Sequence, residues 1–453
     1  MKNRIMKGAD QNPPVFSLDS SSGEATNSNP SGKASGKVLT IELGRIEPPE
    51  APRAAPSAQQ KSPPRQYAYR SRWAVRLFRL LDGLGAALLA RERDRPKVIE
   101  RVIVLRPDHI GDVLFSLPAL RALRKELPDA RIDLLIGPWA RPLLPDDSKN
   151  LYGIELIEFS APWLERPKKD RFGLMAALGL ARLLRRRARE LGGAYDLAVD
   201  LRGDFQSILA ARLAGARYLA GSGRTGLGFF LDVELEEMRG RHQVERNLAL
   251  IESAGFGYQE TTNPELKLTR DEIEQGRALL RTHGVDGSRI VIGIHAGAGN
   301  PTKIWGVDKF AGLIRRIITN MPSQVVIFGG PDDRSVTDDV MIALKGLRTE
   351  GRVVDLCDKL PGLRSFMMAA RHCTLFVGND SGPGHIAAAL GVPVISVFSG
   401  TNDPAEWGPR GSSVVIVRKR IECEVCGLTF CDHHSGMAGL DSDIVYEALR
   451  RCV

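Results

Sequence analysis

Four short segments of this sequence carry residues that could bind a phosphate or transfer a proton. Each follows an apolar run typical of a buried strand. They are RPDHIGDVL (106–114), HAGAGNPTKIW (295–305), IFGGPDDRS (327–335) and VGNDSGPGHIA (377–387). Polar, glycine-containing loops of this kind contact ligands at the carboxyl edge of a parallel sheet. The segments therefore predict a ligand site built from several strand ends.

Asp112 is the candidate general base. It directly follows Gly111, in a loop that leaves a strand and enters a helix. A carboxylate at that position would project into a cleft, where it could accept a proton from a sugar hydroxyl. The alternative is that Asp112 only caps the helix, which is a common role of aspartate.

Thr302 and Lys303 end a glycine-rich turn after a strand. Backbone N–H groups, the hydroxyl and the ammonium could contact phosphate oxygens there. The segment does not have the G-x-x-x-x-G-K-[ST] pattern of a P-loop, and a solvated loop lysine is the alternative interpretation.

The DSGPGH segment (380–385) is the candidate diphosphate site. Its proline suits the first position of a helix, whose free N–H groups and dipole attract anions. A purely structural turn would not need this combination of glycines, serine and histidine. The candidate ligand-binding residues here are Asp380, Ser381, Gly382, Gly384 and His385.

Asp332, or its neighbour Asp333, follows the strand at 324–330. An acidic residue after a strand holds ribose hydroxyls in dinucleotide sites, so Asp332 is a candidate nucleotide-binding residue. A polar turn explains the same residues equally well.

Strands and helices alternate along most of the chain, which predicts an α/β fold with two doubly wound parallel sheets facing a central cleft. The segment joining them is near 255–270. The predicted divisions are a disordered extension at 1–66, a basic amphipathic helix at 67–97, an N-terminal Rossmann-like domain at 98–262 and a C-terminal Rossmann-like domain at 263–453. Within the extension, VLTIEL (38–43) is the exception and reads as a docking strand.

The segment 69–93 has an apolar stripe containing Trp73 and several leucines, with Arg72, Arg76 and Arg79 on another side. This pattern fits a helix at a membrane interface. The alternative is a helix packed on the following domain, with its arginines in solvent.

Composition restricts the class of protein. The 453 residues are 43% hydrophobic, and the formal net charge is +9. The six cysteines all follow residue 356, which argues for a reducing compartment, and the start of the chain lacks a signal-peptide pattern. No recognition-helix, zinc-finger or RNA-binding signature is present, so we expect no nucleic-acid partner. No run of about 18 apolar residues occurs. We therefore expect a cytoplasmic protein. The segment 69–93 would be the part that contacts the inner face of the cytoplasmic membrane.

Several ordered motifs resemble glycosyltransferase family 9, the lipopolysaccharide heptosyltransferases. They span about 100–450. The motifs are GDVLFSLPAL, YDLAVDLRGDFQS, HQVERNL, IGIHAGAGNPTKIW, FGGPDDR, GNDSGPGHIAAALGVPVISVFSGTNDPAEWGP and CEVC.

The resemblance implies a GT-B fold of two Rossmann-like domains and an inverting, metal-independent transferase without a cofactor. It implies that Asp112 is the base, that Lys303 neutralises the departing diphosphate, and that Asp380 and the Ser381–Gly384 turn position the donor. The implied donor is a nucleotide sugar, ADP-heptose in the usual members. The resemblance implies that the C-terminal domain (263–453) binds this nucleotide sugar and that the N-terminal domain (98–262) binds the acceptor. The implied acceptor is a lipid-linked glycan such as the lipopolysaccharide core. The long N-terminal extension departs from the family's best-known members.

Two other functions stay open at this point: a nucleotide-sugar epimerase of similar architecture, and a non-catalytic protein that binds a sugar nucleotide or lipid. A metal site is a further open question. Cysteines and histidines of ligand type cluster near the end of the chain, but their spacing is poor for a zinc ribbon. The cluster consists of Cys423, Cys426, Cys431, His433 and His434, with Cys452 as a further candidate.

Overall fold

The fold is described from a computed structural model of the chain. The residues that the structure describes are 37–43, 67, 71–89, 93–144, 153–164, 173–235, 238, 240–257, 263–347, 351–421, 423, 425–431 and 434–453.

The first half of the chain forms a six-stranded parallel sheet in the order β4-β3-β2-β5-β6-β7. Its central strand β2 has the sequence RVIVLR and is buried from its second residue onward, because helices cover both faces of the sheet. The strands are β2 (Arg101–Arg106), β3 (Arg131–Ile136), β4 (Ile154–Glu158), β5 (Leu197–Asp200), β6 (Tyr218–Gly221) and β7 (Val233–Glu234).

The second half forms a seven-stranded parallel sheet in the order β1-β13-β12-β11-β8-β9-β10. Its outermost strand β1 comes from the N-terminal extension. The strands are β1 (Lys37–Leu43), β8 (Ile290–His295), β9 (Ser323–Phe328), β10 (Val353–Asp355), β11 (Leu375–Asn379), β12 (Val394–Phe398) and β13 (Ser413–Lys419).

Helices connect the strands of both sheets. They are α1 (Arg72–Leu88), α2 (Ile110–Glu126), α3 (Leu174–Glu190), α4 (Phe205–Ala214), α5 (Gln243–Ser253), α6 (Arg270–Thr282), α7 (Val307–Asn320), α8 (Arg334–Ala343), α9 (Leu363–Ala370), α10 (Gly382–Ala389), α11 (Pro404–Trp407), α12 (Ser435–Ala438) and α13 (Ser442–Arg450). Short 3-10 turns cover Pro138–Leu143, Gly228–Phe230, Pro301–Lys303 and Pro331–Asp333. In the described residues no helix is long and apolar enough to cross a bilayer.

The extension contributes one strand that the sequence indicates. The segment expected to dock, 38–43, lies within β1, which runs parallel to β13 and places Ile41 opposite Val417. Ile41 is buried in the core of the second sheet. The rest of 1–66, where disorder is predicted, lies outside the described residues.

The segment 67–97 contains the expected helix, α1. It spans Arg72–Leu88, and Ser71 caps its first turn. The helix packs on the first sheet's side of the molecule, where the Phe78 ring lies 4.9 Å from the ring of Phe205. The apolar stripe is not the face that makes this contact, because Phe78 lies on a different side of the helix.

Candidate active site

Asp112 lies in the first turn of α2, directly after β2 at the carboxyl edge of the first sheet. Arg106, the last residue of β2, holds it in two ways. The Nη2 atom of Arg106 is 3.2 Å from Oδ1 of Asp112, and its Nε donates a 3.1 Å hydrogen bond to the Asp112 carbonyl oxygen. Because the Arg106 side chain is buried, this pair fixes the orientation of the carboxylate.

A second carboxylate, Asp108, links this pair to the neighbouring strand. Its Oδ1 lies 3.3 Å from Nε of Arg106, and its Oδ2 accepts a 2.8 Å hydrogen bond from Nη1 of Arg202. Arg202 follows β5 and also pairs with Asp204. The base candidate therefore belongs to an ionic network at the ends of two adjacent strands.

The electrostatic setting of Asp112 favours proton uptake. Burial and the neighbouring Asp108 carboxylate raise the pKa of Asp112 above its usual value, while Arg106 and Arg202 oppose that rise. The side chain is 14% exposed, so it remains open to the cleft. A carboxylate with a raised pKa is a better proton acceptor than an ordinary aspartate.

Lys303 and Asp380 form the centre of the facing site, in the second sheet. Lys303 ends the turn after β8, and Asp380 follows β11, the strand paired with β8. The Lys303 ammonium is 2.6 Å from Oδ2 of Asp380. Burial alone would raise the pKa of Asp380, but His385 and Lys303 outweigh it and hold that pKa below its usual value. Asp380 is therefore an anion that orients Lys303.

Two further groups contact Asp380. The Nε2 atom of His385 is 3.6 Å from its Oδ1, and Asn402 donates a 3.1 Å hydrogen bond to its Oδ2. His385 lies in the first turn of α10, so the carboxylate ties the start of this helix to Lys303.

The start of α10 has the features of an anion site. Ser381 precedes it without capping it, and Pro383 occupies an early position where no N–H is needed. The Ser381 hydroxyl is 3.2 Å from Nδ1 of His295, whose Nε2 is 3.1 Å from Asp333. Ser381 is therefore held by a buried histidine. The positive end of the helix dipole lies beside it, and such a helix start attracts anions.

The two sites meet. A methyl group placed on Gly111 would lie 3.8 Å from Cδ2 of His385, and one placed on Gly382 would lie 3.9 Å from Ile110. The ring of Phe115 packs edge-on against His385 at 5.1 Å between centroids. The first turns of α2 and α10, which pack on different sheets, therefore face each other.

A contact between the two halves lies behind this meeting point. His242 caps α5 through Nδ1, which accepts a hydrogen bond from Val244, so its Nε2 donates to the Gly408 carbonyl at 2.9 Å. Burial, with Arg410 acting in the same direction, lowers the pKa of His242 to about 3. This histidine is neutral at physiological pH and acts as a fixed link.

Thr302 and Asp332 occupy different settings from those of Lys303 and Asp380. Thr302 is buried, and its hydroxyl lies 3.0 Å from both Asn300 Oδ1 and the Leu428 carbonyl. The Thr302 hydroxyl thus stabilises the loop by bonding to neighbouring protein atoms, and its contact with a donor stays a prediction. Asp332 is exposed after β9, whereas Asp333 is engaged by His295 and by the Gly330 amide. Of the two, Asp332 is the one free to meet a ligand at this edge.

Arg106, Asp108 and Arg202 are functional candidates that the sequence analysis does not single out. Their positions in the sequence could have indicated them. Arg106 and Asp108 lie in the RPDHIGD segment, and Arg202 follows β5, the strand that pairs with β2. What the sequence lacks is the register that places Leu105 of β2 opposite Asp200 of β5.

The cysteine cluster does not form a metal site among the residues that the structure describes. No group of three or more His, Cys, Asp or Glu side chains there is arranged to hold an ion. His434 instead contacts the Thr302 carbonyl at 2.8 Å through Nε2. His433 lies outside the described residues.

Comparison with known proteins points to one family. Residues 184–432 match the profile of glycosyltransferase family 9 (heptosyltransferase). Lipopolysaccharide heptosyltransferase 3 of Escherichia coli K12 is 31% identical over 317 residues, which cover 67% of this chain and 84% of the relative. Lipopolysaccharide heptosyltransferase 2 of the same strain is 26% identical over 332 residues, covering 70% and 88%.

Solved structures share the fold. The structure of E. coli ADP-heptose lps heptosyltransferase II superposes with a TM-score of 0.61 at 24% identity, covering 78% of this chain and 98% of the other. A family 9 glycosyl transferase from Veillonella parvula gives a TM-score of 0.62 at 23% identity, covering 80% and 98%. The prediction of two doubly wound sheets facing a cleft is therefore confirmed.

Proposed function

This chain belongs to glycosyltransferase family 9 and has the GT-B fold, and we propose that it transfers heptose from ADP-heptose to a hydroxyl of a lipopolysaccharide-core or related glycan acceptor. The observation that carries the proposal is the meeting of two unlike loops. Asp112, with its raised pKa, lies on one side of the contact between α2 and α10. Lys303, Asp380 and the start of α10 lie on the other.

Asp112 acts as general base in this proposal. The acceptor hydroxyl gives its proton to the Asp112 carboxylate as its oxygen forms a bond to the anomeric carbon. The bond between that carbon and the diphosphate oxygen breaks, and ADP leaves with the electron pair. Arg106 is a positioning residue, because its contacts with Asp112 direct the carboxylate.

Lys303 and the start of α10 stabilise the leaving group. Negative charge grows on the diphosphate as it departs, and a preorganised ammonium and helix N–H groups lower the energy of that state. Asp380 keeps the ammonium in place before the donor binds. The backbone N–H group of Gly382 is assigned to the phosphates, and Asp332 to the ribose hydroxyls. Gly384 is assigned to the same turn for its small size, because its own N–H group donates a 3.2 Å hydrogen bond to the Ser381 carbonyl.

We propose that the transfer inverts the anomeric configuration and needs no metal ion. Attack from the Asp112 side, opposite the diphosphate, is a single in-line displacement without a covalent intermediate. The positive charge that a metal ion would supply comes from the Lys303 ammonium and from the positive end of the α10 dipole. Two measurements test these points: the anomeric configuration of the product by NMR, and the rate in the presence of EDTA, which we expect to be unchanged.

The acceptor is proposed to be lipid-linked and the enzyme to work at the cytoplasmic face of the inner membrane. The similarity to lipopolysaccharide heptosyltransferases supports the acceptor class. The amphipathic helix α1 supports contact with a membrane surface.

The direct test combines purified protein, ADP-heptose and an extract of core glycolipids, with products read by mass spectrometry. The proposal predicts ADP release together with an acceptor that has gained one heptose unit. Two outcomes contradict it. Conversion of ADP-heptose without any acceptor would indicate an epimerase, and stabilisation by ADP-heptose without transfer to any acceptor would indicate a binding protein.

A further inference from the structure

Helix α1 presents three different faces. With 3.6 residues per turn, its side chains fall into a face toward the protein, an arginine face and a leucine-rich face. The residues of the leucine-rich face, here named the apolar stripe, are Trp73, Leu77, Leu80, Leu81, Leu84 and Leu88.

The inward face anchors the helix. It consists of Phe78, Asp82 and Gly85, all buried. The Phe78 ring packs on Phe205, and the Tyr67 hydroxyl donates a 2.6 Å hydrogen bond to Asp82. At Gly85 a side chain would collide with the ring of Phe229, so this position needs glycine for close approach. The helix is thus held firmly without using its stripe.

The apolar stripe points away from the protein. Trp73 is 63% exposed, Leu80 60%, Leu84 52% and Leu88 78%. A run of large apolar side chains over four helical turns is costly to leave in water, and contiguous patches of this kind mark interaction surfaces.

The arginine face lies beside the stripe and is also exposed. It consists of Arg72, Arg76 and Arg79. Within the part of the chain that the structure describes, these three guanidinium groups have no ion-pair partner. An exposed apolar stripe flanked by cations is complementary to a bilayer with anionic headgroups, where leucine and tryptophan enter the acyl boundary and arginine meets phosphate.

We propose that the apolar stripe and arginine face of α1 dock the enzyme onto an anionic lipid bilayer, with the acceptor side of the cleft next to the membrane. The second part rests on the proposed function.

Helix α1 is connected to the loop that supports Asp112. Phe78 packs on Phe205, the first residue of α4. Thr225 accepts a hydrogen bond from the Phe205 amide and donates one to the Gly203 carbonyl. Arg202, one residue earlier, contacts Asp108 of the Asp112 network. The docking helix is therefore mounted on the same loop that supports the base.

Vesicle co-sedimentation tests the docking directly. The full chain is mixed with vesicles of phosphatidylcholine alone or with about one third phosphatidylglycerol. We expect binding to the anionic vesicles, weakened by 0.5 M salt because screening reduces the arginine contribution. The triple variant Leu80→Ser, Leu84→Ser, Leu88→Ser should lose roughly tenfold or more of the binding. The double variant Arg76→Gln, Arg79→Gln should lose binding to anionic vesicles specifically.

Matched controls exist in the other half of the molecule. Ile342→Ser removes an apolar side chain that is 56% exposed on α8. The double variant Arg277→Gln, Arg450→Gln removes two exposed arginines there. Both controls should bind vesicles like the wild type. Unchanged melting temperatures of the variants show that loss of binding is not loss of folding.

A transfer assay separates docking from catalysis. The triple variant should keep wild-type activity on a water-soluble, deacylated acceptor and lose roughly tenfold on the same glycan embedded in anionic vesicles. The docking proposal is overturned if the wild type does not bind vesicles. It is also overturned if the wild type is a dimer in solution and the triple variant is a monomer, because the stripe would then be a dimer interface. No transfer to the soluble acceptor by the wild type would instead refute the proposed function and leave the vesicle result standing.

Discussion

The ammonium of Lys303 lies 2.6 Å from the Oδ2 atom of Asp380, and this pair joins the loops that follow two adjacent strands, β8 and β11. The Asp380 side chain is buried, while Lys303 is 20% exposed. The pair therefore places a cation at the cleft with its orientation set before any donor arrives. Such preorganisation is what stabilising a leaving diphosphate requires.

Loss of the Lys303 charge should slow transfer more than it weakens donor binding. We expect Lys303→Gln to lower kcat roughly 100-fold, because the negative charge on the diphosphate is greatest in the transition state. Steady-state kinetics with ADP-heptose measure this. Lys309→Gln is the control, since that lysine pairs with Asp441 on the surface of the same half. A variant with raised KM and unchanged kcat would assign Lys303 to ground-state binding only.

The pH profile should report Asp112. Burial and Asp108 raise the pKa of Asp112, and Asp112 accepts a proton only when it is ionised. The kcat/KM profile should therefore fall on its acid side, and the midpoint of this acid limb should lie above the pKa of about 4 of an ordinary aspartate. Removing the cation in Arg202→Gln should raise that pKa further and move the limb to higher pH.

The control for this profile is Arg217→Gln. Arg217 pairs with Asp196 at the opposite edge of the same sheet and should leave the limb in place. A limb that moved to lower pH in Arg202→Gln would contradict the assignment of the limb to Asp112.

Asp200 should make folding stability depend on pH. It is fully buried at the end of β5, and burial, followed by repulsion from Asp204, raises its pKa to about 7. Between pH about 4 and 7 the folded chain holds this proton more tightly than the unfolded chain, so stability falls as pH rises through that range. Asp200→Asn cannot ionise, and its melting temperature relative to the wild type should therefore increase from pH 5 to pH 7 and then level off.

The matched control is Asp338→Asn, whose carboxylate is 58% exposed. Its melting temperature should follow that of the wild type at each pH. Parallel curves for Asp200→Asn and the wild type would show that Asp200 is ionised in the folded state throughout.

The sequence was sufficient to locate the loops of the site. Asp112 and Asp380 each follow an apolar run and precede a helix, and local pattern alone places such residues at strand ends. Short-range periodicity carries this information, because each element buries a continuous apolar face.

The pairing of charges could not be predicted in the same way. The Asp108–Arg202 contact joins residues 94 positions apart, and Lys303–Asp380 depends on β8 lying beside β11. Strand order is a property of the whole sheet. Likewise, the sequence shows the stripe of α1 but not that Phe78 and Gly85, outside the stripe, are the residues that pack.

The central claim is that one carboxylate removes the acceptor proton across the cleft, and Asp112→Asn tests it most directly. Single-turnover transfer from ADP-heptose should slow roughly 100- to 10,000-fold while the Kd for ADP-heptose stays near the wild-type value. Asp129→Asn, an exposed change beyond the far end of α2, should transfer at the wild-type rate. Near-full activity of Asp112→Asn would contradict the claim.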